Sequence, residues 1–450
     1  MEDVQASVIQ ELIQQENWEE LRRLLEDIPA PEFPSLLWEL DESQRIRLYR
    51  MLPRALAGEV FSYLDPEQRK SLLEELTNEE TSQILADLRP DDRTHLLEEL
   101  PAEAGRRMLR LLDPEDLREA QALLGYPEES VGRLMTPDYV TVQPGWTIAQ
   151  VLDHIRARGM KSETIDVIYV TGPSHKLLDA LDLRDLILAA PASKVEALMD
   201  ETCVSIPASA DREEAVHLMR DYDVFVLPVV DSEGVLLGIV TIDDILDVAE
   251  LEATEDFQKA GAVAPLGVGY RAAGVWPLYR KRVGWLVMLV LVSLSSSGVI
   301  AVFEETLASA MALAFFIPVL IGTAGNAGSQ AATLMVRALA TNEIELSEWW
   351  RALLKDVAVG LCLGVTMGLC GWLLGLLRGG PGIAIVVGLT MMAAVLVANL
   401  IGGSLPFVLT HFGLDPAAAS GPLITSIMDT IGLLTYFSVA AWLLGLPISG

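Results

Sequence analysis

The apolar positions of residues 36–112 recur with a period of 12. A leucine lies at every twelfth position from Leu40 to Leu112, and a second apolar residue lies four positions before each one. Capping residues and prolines follow at the same phase, as in Asp65-Pro66. The spacing predicts short helices, begun by an Asp or Thr N-cap with proline at the first position. Because such helices cannot bury their apolar faces alone, we expect a small α-solenoid, with an ordinary helical bundle as the alternative.

A different repeat, offset by 64 residues, spans about 131–250. Leu134-Met135 opens the first copy and Leu198-Met199 opens the second. Each copy continues with a β-rich run, a polar turn and a segment that passes from strand alternation into helical spacing. Two small α/β domains are therefore expected.

The two copies resemble a tandem pair of CBS domains, regulatory modules that dimerise and often bind ATP or another adenosine nucleotide. In that family, a hydroxyl residue and an aspartate three positions later can hold a ribose where a strand meets a helix. Thr241 and Asp244 fit this pattern, whereas Asp182 occupies the hydroxyl position of the first copy. The resemblance implies one nucleotide site per chain, or a pair that serves only as a dimerisation and sensing scaffold.

Acidic residues accumulate behind the second copy, on a segment with helical spacing. Seven of them lie from Asp243 to Asp256, and the next basic residue is Lys259. Like charges at this spacing destabilise a helix unless a cation joins them, and carboxylate oxygens are the ligands that hard divalent cations prefer. The sequence has no EF-hand pattern or His/Cys cluster, so EF-hand calcium and zinc find little support. A divalent-cation role is favoured over a merely solvated surface helix.

Residues 280–450 contain five apolar segments, each long enough to cross a hydrocarbon core of about 30 Å. The segments are 283–303, 310–338, 357–377, 383–410 and 418–446. Basic residues at 280–282, and others between the second and third segments, place those ends in the cytoplasm. This orientation puts the first half of the chain and Asp415 on the cytoplasmic side.

Asp429 lies near the middle of the last apolar segment. A carboxylate at that depth costs about 2.5–3.5 kcal/mol on insertion scales unless it faces water, a cation or a partner. The apolar half has no basic residue at comparable depth, so we expect Asp429 to face an ion path; a permanently protonated side chain is the alternative. An aspartic protease needs two carboxylates that share a proton, and no second aspartate lies mid-membrane, so an enzyme is not expected.

Charge and hydropathy divide the chain at the same place. The 450 residues include 63 Asp and Glu against 32 Lys and Arg, although 51% are hydrophobic. Residues 1–279 have 55 acidic and 25 basic residues, whereas residues 283–450 have 8 and 4. A nucleic-acid binder is excluded, because no basic face exists to displace counterions from phosphate. With 3 cysteines and no apolar run at the N-terminus, neither a disulfide scaffold nor an exported soluble half is expected.

The order of these regions resembles the MgtE family of magnesium channels and transporters. The most specific stretches are residues 253–256, 318–326 and 422–430. The resemblance implies a multidomain membrane protein that joins an α-solenoid, an α/β CBS pair and an all-α membrane domain. Its expected parts are a superhelical N domain (1–130), CBS domains (131–190 and 191–246), an acidic plug helix with linker (247–279) and a transmembrane domain with five helices (280–450).

The resemblance also implies Mg2+ uptake that cytosolic Mg2+ closes, through a homodimer in the bacterial inner membrane with the N-terminal half in the cytoplasm. Asp429 matches the family's pore aspartate. The family's cytosolic Mg2+ sites fall on Glu59, Asp91, Asp211, Glu213, Asp223, Asp244, Asp247, Glu252, Glu255, Asp256 and Asp415. Two positions depart from the pattern, since His95 stands where an acidic residue is expected beside Asp91, and Ser329 stands where Asn is common.

A broader divalent-metal transporter, moving Co2+ or Ni2+ and coupled to a gradient, is the alternative. A path for transition metals should show His or Cys in the spans. Histidine is absent from the span centres, and Cys362 and Cys370 have no polar neighbours. One Asp429 from each subunit would give two carboxylates, which suits an Mg2+ ion that keeps its waters. The residues therefore favour Mg2+.

Overall fold

The computed structural model describes residues 8–13, 15, 17–26, 28–200, 202–266, 269–270 and 273–447. Its contacts divide into two compact units, Met1–Glu250 and Leu251–Gly450, and each unit has its own hydrophobic cores.

The repeat of 12 folds into one short helix per repeat, which confirms the predicted α-solenoid. The helices of this region are α1 (Trp18–Glu26), α2 (Phe33–Glu39), α3 (Glu42–Met51), α4 (Arg54–Ser62), α5 (Pro66–Glu75), α6 (Asn78–Asp87), α7 (Pro90–Glu99), α8 (Ala102–Leu109) and α9 (Pro114–Leu123), and α2 to α8 contain the repeat. Asp65 and Thr77 begin α5 and α6 with capping boxes. The apolar side chains of the repeat form one continuous core.

Two small α/β domains follow, as the second repeat predicted. The first has α10 (Val131–Leu134), β1 (Thr141–Val142), α11 (Ile148–Arg158), β2 (Val167–Thr171), β3 (Leu177–Asp182) and α12 (Leu183–Leu188). The second has β4 (Ile206–Pro207), α13 (Arg212–Tyr222), β5 (Val226–Val230) and β6 (Leu236–Thr241). In each three-stranded sheet, the first strand pairs parallel and the third antiparallel to the middle one. Tyr169, Val226, Leu236 and Ile239 form a core that joins the two domains.

The acidic run forms α14 (Ile242–Ala260), which continues directly from β6. Its 19 residues have two acidic side chains in the first turn and Lys259 in the last, an arrangement that complements the helix dipole. The boundary between the two compact units falls inside this helix, after Glu250.

Four helices of the described chain are long and apolar enough to cross a membrane. They are α15 (Val275–Val302), α17 (Ile317–Ala340), α18 (Trp349–His411) and α19 (Gly421–Leu444), with the short α16 (Glu304–Ser309) after α15. The 63-residue α18 contains both the third and the fourth predicted segments. It breaks at Gly380, whose φ of 81° and ψ of 178° are open to glycine but strained for other residues.

The two arms of α18 reverse at Gly380 and pack antiparallel against each other. A Cβ added to Gly368 would lie 2.9 Å from the carbonyl oxygen of Gly388, and one on Gly375 would lie 2.6 Å from the Cα of Ala384. Small residues of this kind let two membrane helices approach backbone to backbone. The sequence pattern separated the arms correctly, although the structure joins them through one glycine.

Candidate functional site

Asp429 lies half-buried in the third turn of α19. One of its carboxylate oxygens, Oδ1, is buried and has no hydrogen-bond partner among the described residues. A buried carboxylate without a partner is costly in a membrane, so such a residue marks an ion path or a substrate site by default. Asp429 is therefore a candidate functional residue of the membrane domain.

The polar, small-residue run of α17 packs against the N-terminal half of α19. A Cβ on Gly325 would lie 3.0 Å from Cγ2 of Thr425, and Ser329 Oγ donates to the carbonyl oxygen of Gly421 at 3.2 Å. Asn326 and Gln330 of the same run are exposed in this chain. Part of the run thus packs closely against α19, whereas its amide side chains are on the exposed face of α17.

The second half of α14 holds acidic side chains beside the loop before α19. Lys259 pairs with both Glu255 and Asp415, and Asp415 Oδ1 also accepts from the backbone N–H of Ala417 at 2.7 Å. Burial raises the pKa of Asp256 and the charge of Asp415 raises it further, whereas Lys259 lowers it; Glu252 and Glu255 add smaller increases. The structure therefore brings together the four acidic residues predicted for this part of the chain.

Lys259 is the member of this cluster that the sequence did not identify. It marked only the end of the acidic run, although its spacing of four from Glu255 is a typical helical ion pair. Burial alone would lower the pKa of Lys259, but the hydrogen bonds to Asp415 and Glu255 outweigh it and raise that pKa. A basic side chain thus lies among the proposed cation ligands.

A second acidic cluster joins α7 of the solenoid to the start of α14. Asp91 is 8% exposed, and its Oδ1 is buried without a hydrogen-bond partner among the described residues. Asp244 accepts from the Thr241 hydroxyl at 3.1 Å. Burial and the charges of Asp91 and Asp243 raise the pKa of Asp244, and burial likewise raises that of Asp91. The orphaned oxygen and the crowded charge fit a hard cation ligand.

Glu163 belongs to this cluster, and the sequence did not predict it. It lies just before β2 in the first CBS-like domain and pairs with Arg89, the residue that precedes α7. Burial raises the pKa of Glu163 to about 7, with Asp91 as the next cause. The two partners lie 74 positions apart, so no local pattern could have shown the contact.

Asp247 lies one turn after Asp244, and burial followed by the charge of Glu250 raises its pKa. His95 lies close enough to lower that pKa, while its own Nε2 is 3.0 Å from Oε1 of Glu99. His95 therefore places an imidazole at the position where the resemblance led us to expect an acidic residue. Glu59 is exposed on α4, with no side-chain hydrogen bond or ion pair to any described residue.

The other predicted ligands lie at opposite ends of α13. Asp211 caps the helix by accepting from the backbone N–H of Glu213 at 2.9 Å, and Glu213 lies 3.7 Å from His217. Asp223 ends the same helix with a left-handed φ of 52°. In the described part of this chain, no three His, Cys, Asp or Glu side chains are grouped so that they could hold a metal ion.

Thr241 and Asp244, the residues predicted to hold a ribose, are hydrogen-bonded to each other. The Thr241 hydroxyl donates to Asp244, and the acidic neighbours Asp91, Asp92 and Asp243 would repel a nucleotide phosphate there. A wide, open pocket of about 680 Å³ lies on the first CBS-like domain. Its lining residues are Asp166, Asp182, Leu183, Arg184, Ile187 and Leu188.

Three families match this chain over most of its length. The family described as the MgtE intracellular N domain matches residues 31–129, and the CBS domain matches residues 131–192 and 195–250. The family described as a divalent cation transporter matches residues 317–439.

Two named relatives and two solved structures similar to this chain are described as magnesium transporters or as an Mg2+ channel. The magnesium transporter MgtE of Thermus thermophilus is 46% identical over 331 residues, 72% of each chain. That of Bacillus subtilis is 33% identical over 327 residues, 72% of this chain and 71% of the relative. A structure of the cytosolic domain of the Mg2+ channel MgtE with ATP has 40% identity and a TM-score of 0.52, covering 54% of this chain and 99% of its own. The soluble part of a magnesium transporter has 28% identity and a TM-score of 0.53, covering 56% of this chain and 100% of its own.

Proposed function

This chain belongs to the MgtE family of magnesium transporters, and from that premise we propose that Asp429 lines the path of Mg2+ through the membrane. Mg2+ transport is its function, and the broader Co2+ or Ni2+ alternative is not favoured. The observation that supports the role of Asp429 is its buried Oδ1, which has no partner among the described residues. Mg2+ holds its waters tightly and needs few carboxylates, so one such group per subunit suits it.

We propose that the path forms between the two subunits of a homodimer. Each chain supplies one aspartate, Asp429, to this path. Phe225 and Leu246 are 73% and 61% exposed beside an apolar cavity between α13 and α14. An exposed apolar surface of this kind is typical of a protein interface. In such a dimer, Asp211, Glu213 and Asp223 would belong to sites that the partner subunit completes.

Cytosolic Mg2+ closes this path, in our proposal, by binding the two acidic clusters. Glu252, Glu255, Asp256 and Asp415 would form one site; Asp91, Asp244 and Asp247, with Glu59 further out, would form another. A bound Mg2+ supplies positive charge there, whereas the chain's own contribution is to hold half-buried carboxylates near one another. Ligand binding favours whichever state binds more ligand, so several weak sites give a steep response.

The proposed location is the bacterial inner membrane. The named relatives above are bacterial, and the basic residues at 280–282 precede the first span, which supports a place in the bacterial inner membrane with the N-terminal half in the cytoplasm. The domain limits stay as the sequence predicts them. These relatives are named as transporters, not as enzymes.

Flux through liposomes tests this function. We expect purified full-length protein to admit Mg2+ faster than Co2+, and the Mg2+ rate to stay unchanged when a proton ionophore removes any pH gradient. The measurement uses an Mg2+ indicator inside the vesicles, with protein-free vesicles as the control. Faster Co2+ entry, or Mg2+ entry that stops with the gradient, would support the gradient-coupled divalent-metal transporter instead.

ATP or another adenosine nucleotide is a second candidate ligand, and the cavity beside α12 is the observation that favours it. Asp166 and Asp182 can accept from ribose hydroxyls, and Arg184 can pair with a phosphate. The solved relative with 40% identity is described as a complex with ATP. We therefore propose that a nucleotide uses the first CBS domain, rather than the pair formed by Thr241 and Asp244.

Two substitutions separate these nucleotide sites. We expect Arg184→Ala to weaken ATP binding about tenfold or more, because a hydrogen bond to a charged group contributes roughly 1.5–3 kcal/mol. Thr241→Val should leave the affinity unchanged, since its hydroxyl already bonds to Asp244. Calorimetry on the full-length protein measures both. The opposite pattern, with Thr241→Val losing ATP, would return the site to the second domain.

A further inference from the structure

A chain of three hydroxyl groups links α15 to α19 beside Asp429. Ser295 Oγ donates to the backbone oxygen of Val292 at 2.6 Å and lies 2.6 Å from Thr430 Oγ1. Ser296 Oγ lies 2.9 Å from the same Thr430 oxygen. A hydroxyl has only one hydrogen to donate, so Ser295 must accept from Thr430, and Thr430 in turn accepts from Ser296. The donors therefore run in one direction, an order in which successive hydrogen bonds strengthen one another.

Two other hydroxyls of α19 behave differently. Ser426 and Thr435 each donate to a carbonyl oxygen four residues earlier in their own helix, at 3.0 and 2.8 Å. Thr425 donates in the same way at 3.0 Å and also lies 3.4 Å from Ser329 Oγ of α17. That is the usual way for a threonine or serine to satisfy its hydroxyl inside a helix. Thr430 instead bonds across to α15, which makes its contact a tie between helices.

This tie lies where the two helices meet. α15 packs mainly against α19, and in the described part of the chain none of its side chains is buried. Hydrogen bonds between membrane helices contribute to such a contact beside van der Waals packing. Thr430 directly follows Asp429, and successive residues on a helix point about 100° apart. If the hydroxyl tie fixes the side of α19 on which Thr430 lies, it also fixes the side from which the Asp429 side chain projects.

We propose that Ser295 and Ser296 are positioning residues that set the rotation of α19 and so aim Asp429 into the ion path. This inference rests on the proposed role of Asp429. It extends that role to α15, the helix that follows the acidic α14 along the chain. A shift of α15 would then turn the carboxylate through the hydroxyl tie.

Selectivity in liposomes tests the tie. We expect the double variant Ser295→Ala/Ser296→Ala to lower the ratio of Mg2+ to Co2+ entry by about threefold to tenfold, the equivalent of one or two membrane hydrogen bonds. Thr430→Val, which keeps the shape and removes the hydroxyl, should do the same. Ser297→Ala is the matched control, because Ser297 neighbours the tie and has no hydrogen-bond partner among the described residues. It should keep the wild-type ratio.

Restoring the hydroxyls separates positioning from general packing. Ser295→Thr/Ser296→Thr and Thr430→Ser should recover the wild-type ratio, although they change the volume at the contact. The proposal would be overturned if both the double alanine variant and Thr430→Val kept the wild-type ratio of Mg2+ to Co2+ entry. It would also be overturned if the double threonine variant lowered that ratio as much as the double alanine variant does. Asp429→Asn in the same assay distinguishes the proposed role of Asp429 from the proposed role of the hydroxyl tie. If that variant loses transport while the alanine variants keep the wild-type ratio, the tie alone is wrong.

Discussion

Replacing Asp429 with Asn is expected to reduce Mg2+ flux by about a hundredfold, the usual size of effect when a desolvated charge loses its partner. Asn has nearly the same shape, so α19 should still pack against α17, and the homodimer should still assemble. The loss should come from the missing charge alone, because a ring of carboxylates is what attracts and selects a cation in a pore. Flux in liposomes, measured beside the elution volume of the purified variant, records both outcomes.

Ser426→Ala is the matched control for this variant. Ser426 lies on the same helix and is buried, and among the described residues its hydroxyl donates only to the carbonyl oxygen of Pro422 in that helix. It should therefore keep wild-type flux. An Asp429→Asn protein that inserts normally and retains wild-type flux and selectivity would remove Asp429 from the ion path.

The second large effect concerns closure. A variant with Glu252→Gln, Glu255→Gln and Asp256→Asn is expected to stay open at internal Mg2+ concentrations that close the wild type. These side chains are half-buried close to Asp415, so a cation that binds them offsets a repulsion that the amides do not have. The same variant should lose the protection that Mg2+ gives to the segment after Ile245 against proteases. Flux at graded internal Mg2+ and limited proteolysis measure the two effects.

A control of equal charge change excludes a general electrostatic effect. Glu67, Glu79 and Glu103 are exposed on the solenoid. Replacing all three with Gln also removes three negative charges, but at a distance from α14 in the sequence. That protein should close like the wild type. If the α14 variant also closes with unchanged Mg2+ dependence, α14 is only a linker and sensing lies elsewhere in the chain.

The elements that the sequence predicted best are those with a local signal. The starts of α3 to α9 follow the repeat of 12 because each begins where a capping residue or a proline sets the backbone, as Asp65 does for α5. The CBS-like sheets follow from alternation within short runs. Both patterns rest on residues a few positions apart, so one sequence is enough to detect them.

The contacts that the sequence could not show are those between distant residues. Lys259 and Asp415 lie 156 positions apart, and their pairing depends on how the membrane helices pack. The tie from Ser295 to Thr430 is hidden in the same way, since a serine run is equally compatible with plain packing. The grouping of the acidic ligands was predicted through family resemblance. The structure places some of them together, as with Asp91 and Asp244, and leaves Glu59 apart.

The reversal at Gly380 has a consequence for how the protein is made. The first arm of α18 has a face lined by Gly364, Gly368, Gly371 and Gly375, against which the second arm packs Ala384, Gly388 and Met392. The groove along such a face is filled better by a closely packed helix than by lipid while the rest of the chain is still being synthesised. Pairing the arms covers both faces at once, and no connecting loop has to be threaded between them. We therefore expect the two arms of α18 to enter the bilayer together, as one helical hairpin.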